Sequence, residues 1–97
     1  MYEHHPAVYI MANKRNGTLY VGVTSDLINR VYQHKFEEIE SFSKRYQCKL
    51  LVYYEQYEDI DTAIAREKQL KGGSRKNKLA LIESMNSEWS DLYNSLL

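Results

Sequence analysis

The strongest constraint on the fold comes from two short alternating segments that flank an Asn-Gly pair. Val8–Ala12 and Thr18–Val23 stand on either side of Lys14-Arg15-Asn16-Gly17. Asn-Gly between two such segments is a strong turn signal, because both residues tolerate the positive φ that tight hairpin turns need. The sequence therefore predicts a β-hairpin near the start of the chain.

The rest of the chain alternates between helical and extended patterns, with Asp and Ser residues in positions to cap the helices. The predicted elements are a helix over about Asp26–Glu38, a polar loop over Glu40–Gln47, a strand over Lys49–Glu55, a helix from Asp59 or Asp61 to Gly72-Gly73, a helix from Ser74 to about Met85, and a short closing helix that brings in Trp89, Leu92, Tyr93 and Leu96. The order β-β-α-β-α-α predicts an α+β domain with a sheet of about three strands. We expect one domain over residues 1–97, with the core in about 7–85 and a closing segment in 86–97.

Composition narrows the class of protein. Of 97 residues, 43% are hydrophobic and 27% charged, which is typical of a soluble globular domain, and no apolar run approaches the length of a membrane span. The single Cys48 excludes an internal disulfide, and with no visible signal peptide we expect a reducing, cytoplasmic location. Cys48 itself is expected to be a small buried hydrophobe.

Charge is balanced overall but unevenly distributed. Thirteen basic and thirteen acidic residues give a net charge of zero, which argues against tight non-specific binding of nucleic acid. The stretch from Arg66 to Lys78 is strongly basic, with Glu67 its only acid. It is either a solvated helix face or a nucleic-acid contact surface, for which the candidates are Lys71, Arg75, Lys76 and Lys78.

Glu67 interrupts an otherwise apolar helical stripe. The stripe, with i, i+3, i+4, i+7 spacing, consists of Ile60, Ala63, Ile64, Glu67 and Leu70. A carboxylate on such a face is costly unless it is paired, hydrogen-bonded or bound to a metal. Glu67 is therefore either half of an ion pair with a nearby Arg or Lys, a side chain at the edge of the helix, or a metal ligand.

Two tyrosines share one face of the predicted hairpin. Alternation places Tyr9, Tyr20 and Gly22 on the face opposite the apolar Val and Ile side chains. A two-residue turn would set Asn13 opposite Tyr20, and a longer loop would set Tyr9 opposite Tyr20; both registers keep the tyrosines on one face. Two hydroxyls beside a glycine indicate a site, although tyrosine is also common in half-buried sheets.

The first helix adds a cation and an imidazole. Its predicted inner face consists of Leu27, Ile28, Val31, Tyr32 and Phe36. Arg30 and His34, spaced i, i+4, lie one above the other at the margin of that face. An arginine suits phosphate and a histidine can transfer a proton near neutral pH, although a surface pair with no partner has the same spacing.

Taken together, these segments resemble the GIY-YIG nuclease family. The resemblance covers about Ala7 to Ile82. The segments that carry it are Ala7-Val8-Tyr9, Tyr20-Val21-Gly22, Gly22–Leu27 leading into Arg30–His34, and Ala65–Lys71. The chain is similar to the small stand-alone branch, which is related to the N-terminal nuclease domain of the excision-repair incision subunit.

The resemblance implies a small antiparallel sheet flanked by helices and metal-dependent cutting of DNA. By position, Tyr9 and Tyr20 would bind or deprotonate the attacking water, and Arg30 would neutralise the scissile phosphate. His34 would assist proton movement or phosphate binding, and Glu67 would hold one divalent cation, Mg²⁺ or Mn²⁺. We expect the five side chains to converge on one concave surface, with no small-molecule cofactor and with DNA, branched or single-stranded, as the partner.

Ala7 replaces the first glycine of the family pattern, and Val8 and Val21 replace its two isoleucines, but two further departures matter more. Val23 stands where many active members carry a lysine, and Asn77 is only a candidate for a later asparagine of the family.

Val23 and the zero net charge favour a non-catalytic module, whereas the intact set of Tyr9, Tyr20, Arg30, His34 and Glu67 favours a structure-selective or weakly specific DNA endonuclease, for which the resemblance implies a role in DNA repair. The alternative is a non-catalytic module that keeps the fold and binds nucleic acid or a protein partner.

Overall fold

The computed structural model describes residues 5–36 and 42–97 of the chain. Its elements are β1 (Ala7–Ala12), β2 (Leu19–Thr24), α1 (Leu27–Phe36), α2 (Phe42–Arg45), β3 (Leu50–Gln56), α3 (Ile60–Gly72), α4 (Arg75–Met85) and α5 (Tyr93–Leu96). The predicted α+β class and the three-stranded antiparallel sheet are confirmed. The short helix α2 lies where a polar loop over Glu40–Gln47 was expected; Glu40, and the predicted helix end at Glu38, lie outside the described residues.

The sheet has the strand order β2-β1-β3, and both pairs of strands are antiparallel. All six residues of the central strand β1 are buried. Tyr9 pairs with Gly22 on β2, and Met11 pairs with Tyr20. Both registers considered from the sequence are therefore wrong. The prediction that Tyr9 and Tyr20 share a face is confirmed, because the alternation of side chains along a strand determines the face of each residue but not its partner on the next strand.

The hairpin turn explains this register. Asn13 and Thr18 pair across the strands, with the Asn13 amide 3.3 Å from the Thr18 carbonyl oxygen, and this leaves four residues in the loop. The Gly17 amide donates to the Lys14 carbonyl at 3.0 Å, and Asn16 takes the left-handed conformation with φ 57°. Asparagine tolerates this region better than most residues. Asn16 and Gly17 are therefore the last two residues of a four-residue loop and not a two-residue turn.

Helices cover both faces of the sheet, so the chain has two apolar layers. On one face Val8, Ile10 and Val21 pack with Ala63 and Leu70 of α3, and Ile82 of α4 joins the same layer. The other layer consists of Ala7, Tyr9, Met11, Leu27, Val31, Cys48, Leu51, Tyr93 and Leu96, from β1, β3, α1, α5 and the segment before β3. Helices α1 and α3 therefore bury their side chains against opposite faces.

Three residues predicted to face inward are exposed. On α1 only Leu27 and Val31 are buried, whereas Tyr32 is 45% and Phe36 61% exposed. On α3 Ala63 and Leu70 are buried, but Ile60, at the first position, is exposed. A short helix crossing a sheet makes contact along a narrow stripe, so apolar residues at its margin or ends stay near solvent.

The predicted helix caps are confirmed at the starts of α1 and α3. The Asp59 carboxylate accepts from the Thr62 amide at 2.8 Å at the start of α3, and Asp26 accepts from the Asn29 amide at 3.2 Å at the start of α1. Such caps satisfy amides that have no partner inside the helix. They fix the position at which each helix begins.

The closing segment after α4 covers the outer edge of β3. The Leu51 amide donates to Asp91 at 3.1 Å, and the Leu51 carbonyl accepts from the Leu92 amide at 2.8 Å. The other Asp91 oxygen pairs with Lys35 of α1. In the described part of the chain no helix is both long and apolar enough to cross a membrane.

Candidate active site

The Tyr9 ring lies directly over Gly22 of the neighbouring strand. A Cβ atom built on Gly22 would be 2.4 Å from the Tyr9 hydroxyl and 2.5 Å from the ring carbon that bears it. Every residue other than glycine carries a Cβ atom, so only glycine leaves room for the phenol at this position. The cross-strand pair of Tyr9 and Gly22 thus determines where the hydroxyl lies.

His34 on α1 meets this hydroxyl. Its Nε2 is 2.8 Å from the Tyr9 hydroxyl oxygen. The His34 ring centroid is 5.5 Å from that of Tyr9 and 5.1 Å from that of Tyr20, and the two tyrosine rings are 6.2 Å apart. Three rings predicted from separate sequence signals therefore form one compact group.

Burial and a neighbouring cation keep both bonded groups neutral. Burial, followed by the positive charge of Arg30, lowers the pKa of His34 from 6.5 to about 4. Burial, followed by Tyr20, raises the pKa of Tyr9 well above its usual value of 10, although Arg30 acts in the opposite direction. At neutral pH a neutral imidazole therefore faces a protonated phenol, and the Tyr9 hydroxyl donates to Nε2 when the histidine proton is on Nδ1.

Arg30 completes what we call the tyrosine cluster, formed by Tyr9, Tyr20, Arg30 and His34. Its positive charge lowers the pKa of both Tyr9 and His34, although burial outweighs it at Tyr9. Both of those groups are neutral, so neither cancels the arginine charge. A positive charge held beside two phenols and an imidazole is suited to binding a phosphate oxygen.

Glu67 lies on helix α3, which packs on the other face of the sheet from the tyrosine cluster. Helix α3 packs against β2 and β1, and its buried Ala63 and Leu70 belong to the layer opposite Tyr9. The Glu67 side chain is only 15% exposed, and its carboxylate is 3.1 Å from Nζ of Lys71, one turn further along. The ion pair considered from the sequence is thus present, while the convergence of Glu67 with the tyrosine cluster stays a prediction.

The same geometry bears on whether Glu67 suits a metal. Within residues 5–36 and 42–97, no three His, Cys, Asp or Glu side chains are grouped closely enough to hold an ion. A site for Mg²⁺ does not need such a group, because it often uses one or two carboxylates together with waters and substrate phosphates. A mostly buried carboxylate whose partner, Lys71, is 53% exposed and free to turn to solvent fits that role.

The predicted nucleic-acid contacts fall into different environments. Lys71 is paired with Glu67, and Lys76 is exposed. Arg75 donates to the carbonyl oxygens of Asn16 and Gly17 at 2.8 and 2.7 Å, and Lys78 to the Gly73 carbonyl at 2.8 Å. Their binding of nucleic acid stays a prediction.

A second polar group, absent from our sequence predictions, lies on the α3 face and is named here the Glu55 cluster: Tyr53, Glu55, Tyr57 and Arg66. Arg66 forms two bonds to the Glu55 carboxylate, Nε to Oε1 at 2.9 Å and Nη2 to Oε2 at 3.0 Å. The hydroxyls of Tyr53 and Tyr57 donate to the same carboxylate. Burial opposes ionisation of Glu55, but these bonds outweigh it and lower its pKa. The i, i+2 spacing of Tyr53, Glu55 and Tyr57 was the available signal.

Comparison with known proteins agrees with the resemblance read from the sequence. The profile described as the GIY-YIG catalytic domain matches residues 5–80. A UPF0213 protein of Staphylococcus saprophyticus is 33% identical over 75 residues, which cover 77% of this chain and 90% of that protein. A UPF0213 protein of Staphylococcus haemolyticus is 34% identical over 76 residues, covering 78% and 92%. One of Staphylococcus aureus is 35% identical over 68 residues, covering 70% and 83%. No solved structure matches the chain.

Proposed function

This chain belongs to the GIY-YIG nuclease family, and on that premise we propose that it is a metal-dependent DNA endonuclease, structure-selective or weakly specific. The observation that carries the proposal is the hydrogen bond between Tyr9 and His34 beside Arg30. It supplies a proton path and a phosphate-binding charge at one place. The cytoplasm and DNA repair are the setting to which the resemblance points.

The proton path starts at the attacking water. Hydrolysis forms a bond from the water oxygen to phosphorus, breaks the bond to the leaving sugar oxygen, and requires the water to lose a proton. In our proposal a tyrosine oxygen takes that proton, and Tyr9 can pass its own proton to Nε2 of His34, 2.8 Å away. The low pKa of His34, about 4, leaves this nitrogen unprotonated at neutral pH but also makes it a weak base, so in our proposal the negative charge of the bound phosphate raises that pKa during the transfer.

The difficulty for this path is the raised pKa of Tyr9. Burial makes the phenolate costly, so a positive field must offset that cost in the reactive complex. Arg30 already acts in this direction on Tyr9, and it can also neutralise the scissile phosphate. Glu67 would hold Mg²⁺ or Mn²⁺, which when bound supplies further positive charge for the phosphate and the attacking water.

The test combines a cleavage assay with a thermal melt on the parent protein and Glu67→Gln. The substrates are linear, nicked, flap, branched and single-stranded DNAs with Mg²⁺ or Mn²⁺. We expect the parent to cleave at least one of them only with the metal, and Glu67→Gln to lose that activity while melting at the same temperature or slightly higher. Lys71 is 53% exposed, so losing its partner strands little buried charge.

A different outcome would identify Glu67 as a structural residue. If Glu67→Gln unfolds several degrees lower yet cleaves as well per folded molecule, its carboxylate anchors α3 and holds no metal. Glu88→Gln is the matched control, because it changes an exposed Glu in the segment after α4 in the same way. It should affect neither cleavage nor melting by more than a small amount.

The second candidate is a module that binds DNA or a protein without cutting. Val23, where many active family members carry a lysine, packs against the apolar layer on the α3 side and provides no charge. This observation favours the second candidate. DNA binding by the parent without cleavage of any substrate, with either metal, would establish it.

A further inference from the structure

An open cleft of about 650 Å³ lies at the tip of the hairpin, between the turn and the start of α4. Among the described residues that line it, Lys14, Arg75 and Lys78 are cationic and none is acidic. In a chain whose net charge is zero, three cations around one opening without an acid are a marked local imbalance. Such a lining favours an anionic ligand.

The arginine and one lysine are held in place without being neutralised. Arg75 donates to the carbonyl oxygens of Asn16 and Gly17, and Lys78 to that of Gly73. Backbone carbonyls carry no net charge, so these bonds fix the cations and leave their charge available. Lys71 and Arg66 differ, because each is paired with a carboxylate.

The turn that supplies those carbonyls has a constrained shape. The Asn13 side chain accepts from the Thr18 amide at 2.8 Å and closes the loop. A Cβ atom on Gly17 would lie 2.0 Å from that same side-chain oxygen, so a side chain at Gly17 would break this closure. A turn closed in this way keeps the Arg75 guanidinium at the rim of the cleft, which lowers the entropy cost of binding.

The cleft begins one residue from the tyrosine cluster. Leu19 lines it, and the next residue along β2, Tyr20, points to the other face of the sheet. Successive strand residues are about 3.3 Å apart. Because β2 is an edge strand, an extended ligand can pass around it from one face to the other.

We propose that the cleft at the hairpin tip binds the sugar-phosphate backbone of the DNA substrate, to one side of the cut bond, through Lys14, Arg75 and Lys78. Phosphodiester oxygens are the anions that recur along a strand, and lysine and arginine are their usual partners. The inference rests on the proposed function for the identity of its ligand, but binding alone tests it.

The experiment measures the affinity of short DNAs by fluorescence anisotropy over a range of salt concentrations, without divalent metal, so that nothing is cut. The variants are Lys14→Gln and Lys78→Gln, singly and together. The matched control is Lys49→Gln, which removes an exposed lysine next to β3, at the same end of the sheet but outside the cleft lining. Thermal melts establish that each variant is folded. Of the two single variants, Lys14→Gln should disturb the fold less, because Lys14 is exposed in the loop.

We expect the double variant to bind roughly tenfold more weakly at low salt. The slope of log affinity against log salt should fall by about 2, since each lost phosphate contact removes about one unit. Lys49→Gln should change neither quantity, and two DNAs of unrelated sequence should be affected equally. An equal loss in Lys49→Gln, no loss in the double variant, or a loss confined to one sequence would overturn the cleft as a backbone site.

The outcomes also separate this inference from the proposed function. If the double variant loses binding but the parent never cuts DNA with Mg²⁺ or Mn²⁺, the cleft stands as a binding site and the nuclease proposal fails. If the parent cuts DNA and the double variant binds as tightly as the parent, the nuclease stands and the cleft is overturned. Binding and cleavage are read separately, so neither result depends on the other.

Discussion

The sheet has an arginine among tyrosines on each of its faces, and the two groups differ in what surrounds the arginine charge. In the Glu55 cluster a carboxylate receives two bonds from Arg66 and one from each of two tyrosines. In the tyrosine cluster Arg30 faces a neutral phenol and a neutral imidazole. The first group is neutralised by its own carboxylate, whereas in the second no acid of the described residues pairs with Arg30, which lies beside two groups that can exchange a proton.

This contrast shows that residue types alone do not identify a site. Tyr53, Tyr57 and Arg66 offer the same functional groups as Tyr9, Tyr20 and Arg30. A charge that is already compensated gains little from a phosphate, whereas an uncompensated one gains an ion pair. The Glu55 cluster therefore links β3 to α3, and the tyrosine cluster is the proposed substrate site.

The largest expected effect is the loss of cleavage when the Tyr9 hydroxyl is removed, and the comparison is with removal of the Tyr53 hydroxyl on the other face. Tyr9→Phe deletes the proton donor to His34, and we expect cleavage to fall by about 10²–10⁴-fold with the fold retained, as for loss of a general acid or base. Tyr53→Phe removes a donor to Glu55 and should leave cleavage per folded molecule near the parent's value. Single-turnover cleavage of both variants tests the comparison, which fails if Tyr53→Phe loses as much as Tyr9→Phe.

Gly22→Ala sharpens the comparison by moving Tyr9 rather than deleting it. The added methyl would be 2.4 Å from the Tyr9 hydroxyl, so the ring must move and its hydrogen bond to His34 is disturbed. Displacement of a catalytic group by about 1 Å can cost roughly 100-fold in rate. Gly72→Ala is the control, because nothing lies within 4 Å of its added atom; it should cleave normally and melt no lower. Unimpaired cleavage by Gly22→Ala would mean that the position of Tyr9 is not critical.

Glu55→Gln tests the other side of the comparison through stability. It leaves the charge of Arg66 without a counterion in a cluster whose Arg66 and Glu55 side chains are 26% and 19% exposed. We expect a loss of about 2 kcal/mol in the free energy of unfolding, less than for a fully buried pair because some water reaches it. Urea denaturation measures this, and an unchanged unfolding midpoint would show that the cluster contributes nothing to stability.

The smallest effect is a pH dependence assigned to His34. Its pKa of about 4 in the folded protein lies below the 6.5 of the unfolded chain. Below pH 6.5 the unfolded chain therefore gains a proton that the folded protein does not, and stability falls until the pH reaches about 4. We expect a loss of roughly 1 kcal/mol between about pH 7 and about pH 5, because the half-buried ring keeps part of its hydration.

His34→Gln is the reference for that measurement. The variant should show a smaller loss of stability over the same pH interval, as judged by urea denaturation at both pH values. If the two proteins lose stability equally, His34 is not the group responsible and its ring is more hydrated than its contacts suggest.

Local signals predicted much of this molecule. Alternation placed Tyr9 and Tyr20 on one face, and the caps at Asp59 and Ser74 set the starts of α3 and α4, because each of these depends only on neighbours in the chain. The i, i+4 spacing brought Arg30 and His34 to the same tyrosine. These predictions needed no knowledge of which element packs on which.

Predictions that depended on distant contacts were weaker. The register that sets Tyr9 over Gly22 follows from Asn13 closing a four-residue loop, which alternation cannot reveal. The Glu55 cluster needed Arg66, eleven residues away on another element. Tyr32 looked like a core residue because a helical pattern shows which side is apolar but not how much of it the sheet covers.

The strand order leaves β2 and β3 as the two edge strands of the sheet, and residues that follow the region matched by the family profile cover the edge of β3. Residues 86–97 lie beyond the matched region of 5–80, and Asp91 and Leu92 occupy the backbone groups of Leu51 that face outward from β3. An unpaired strand margin is a template for joining another chain, which leads to aggregation. The closing segment thus keeps the protein from adding strands to its sheet at β3, whereas no strand of the described residues pairs with the outer edge of β2, past which we propose that the substrate runs.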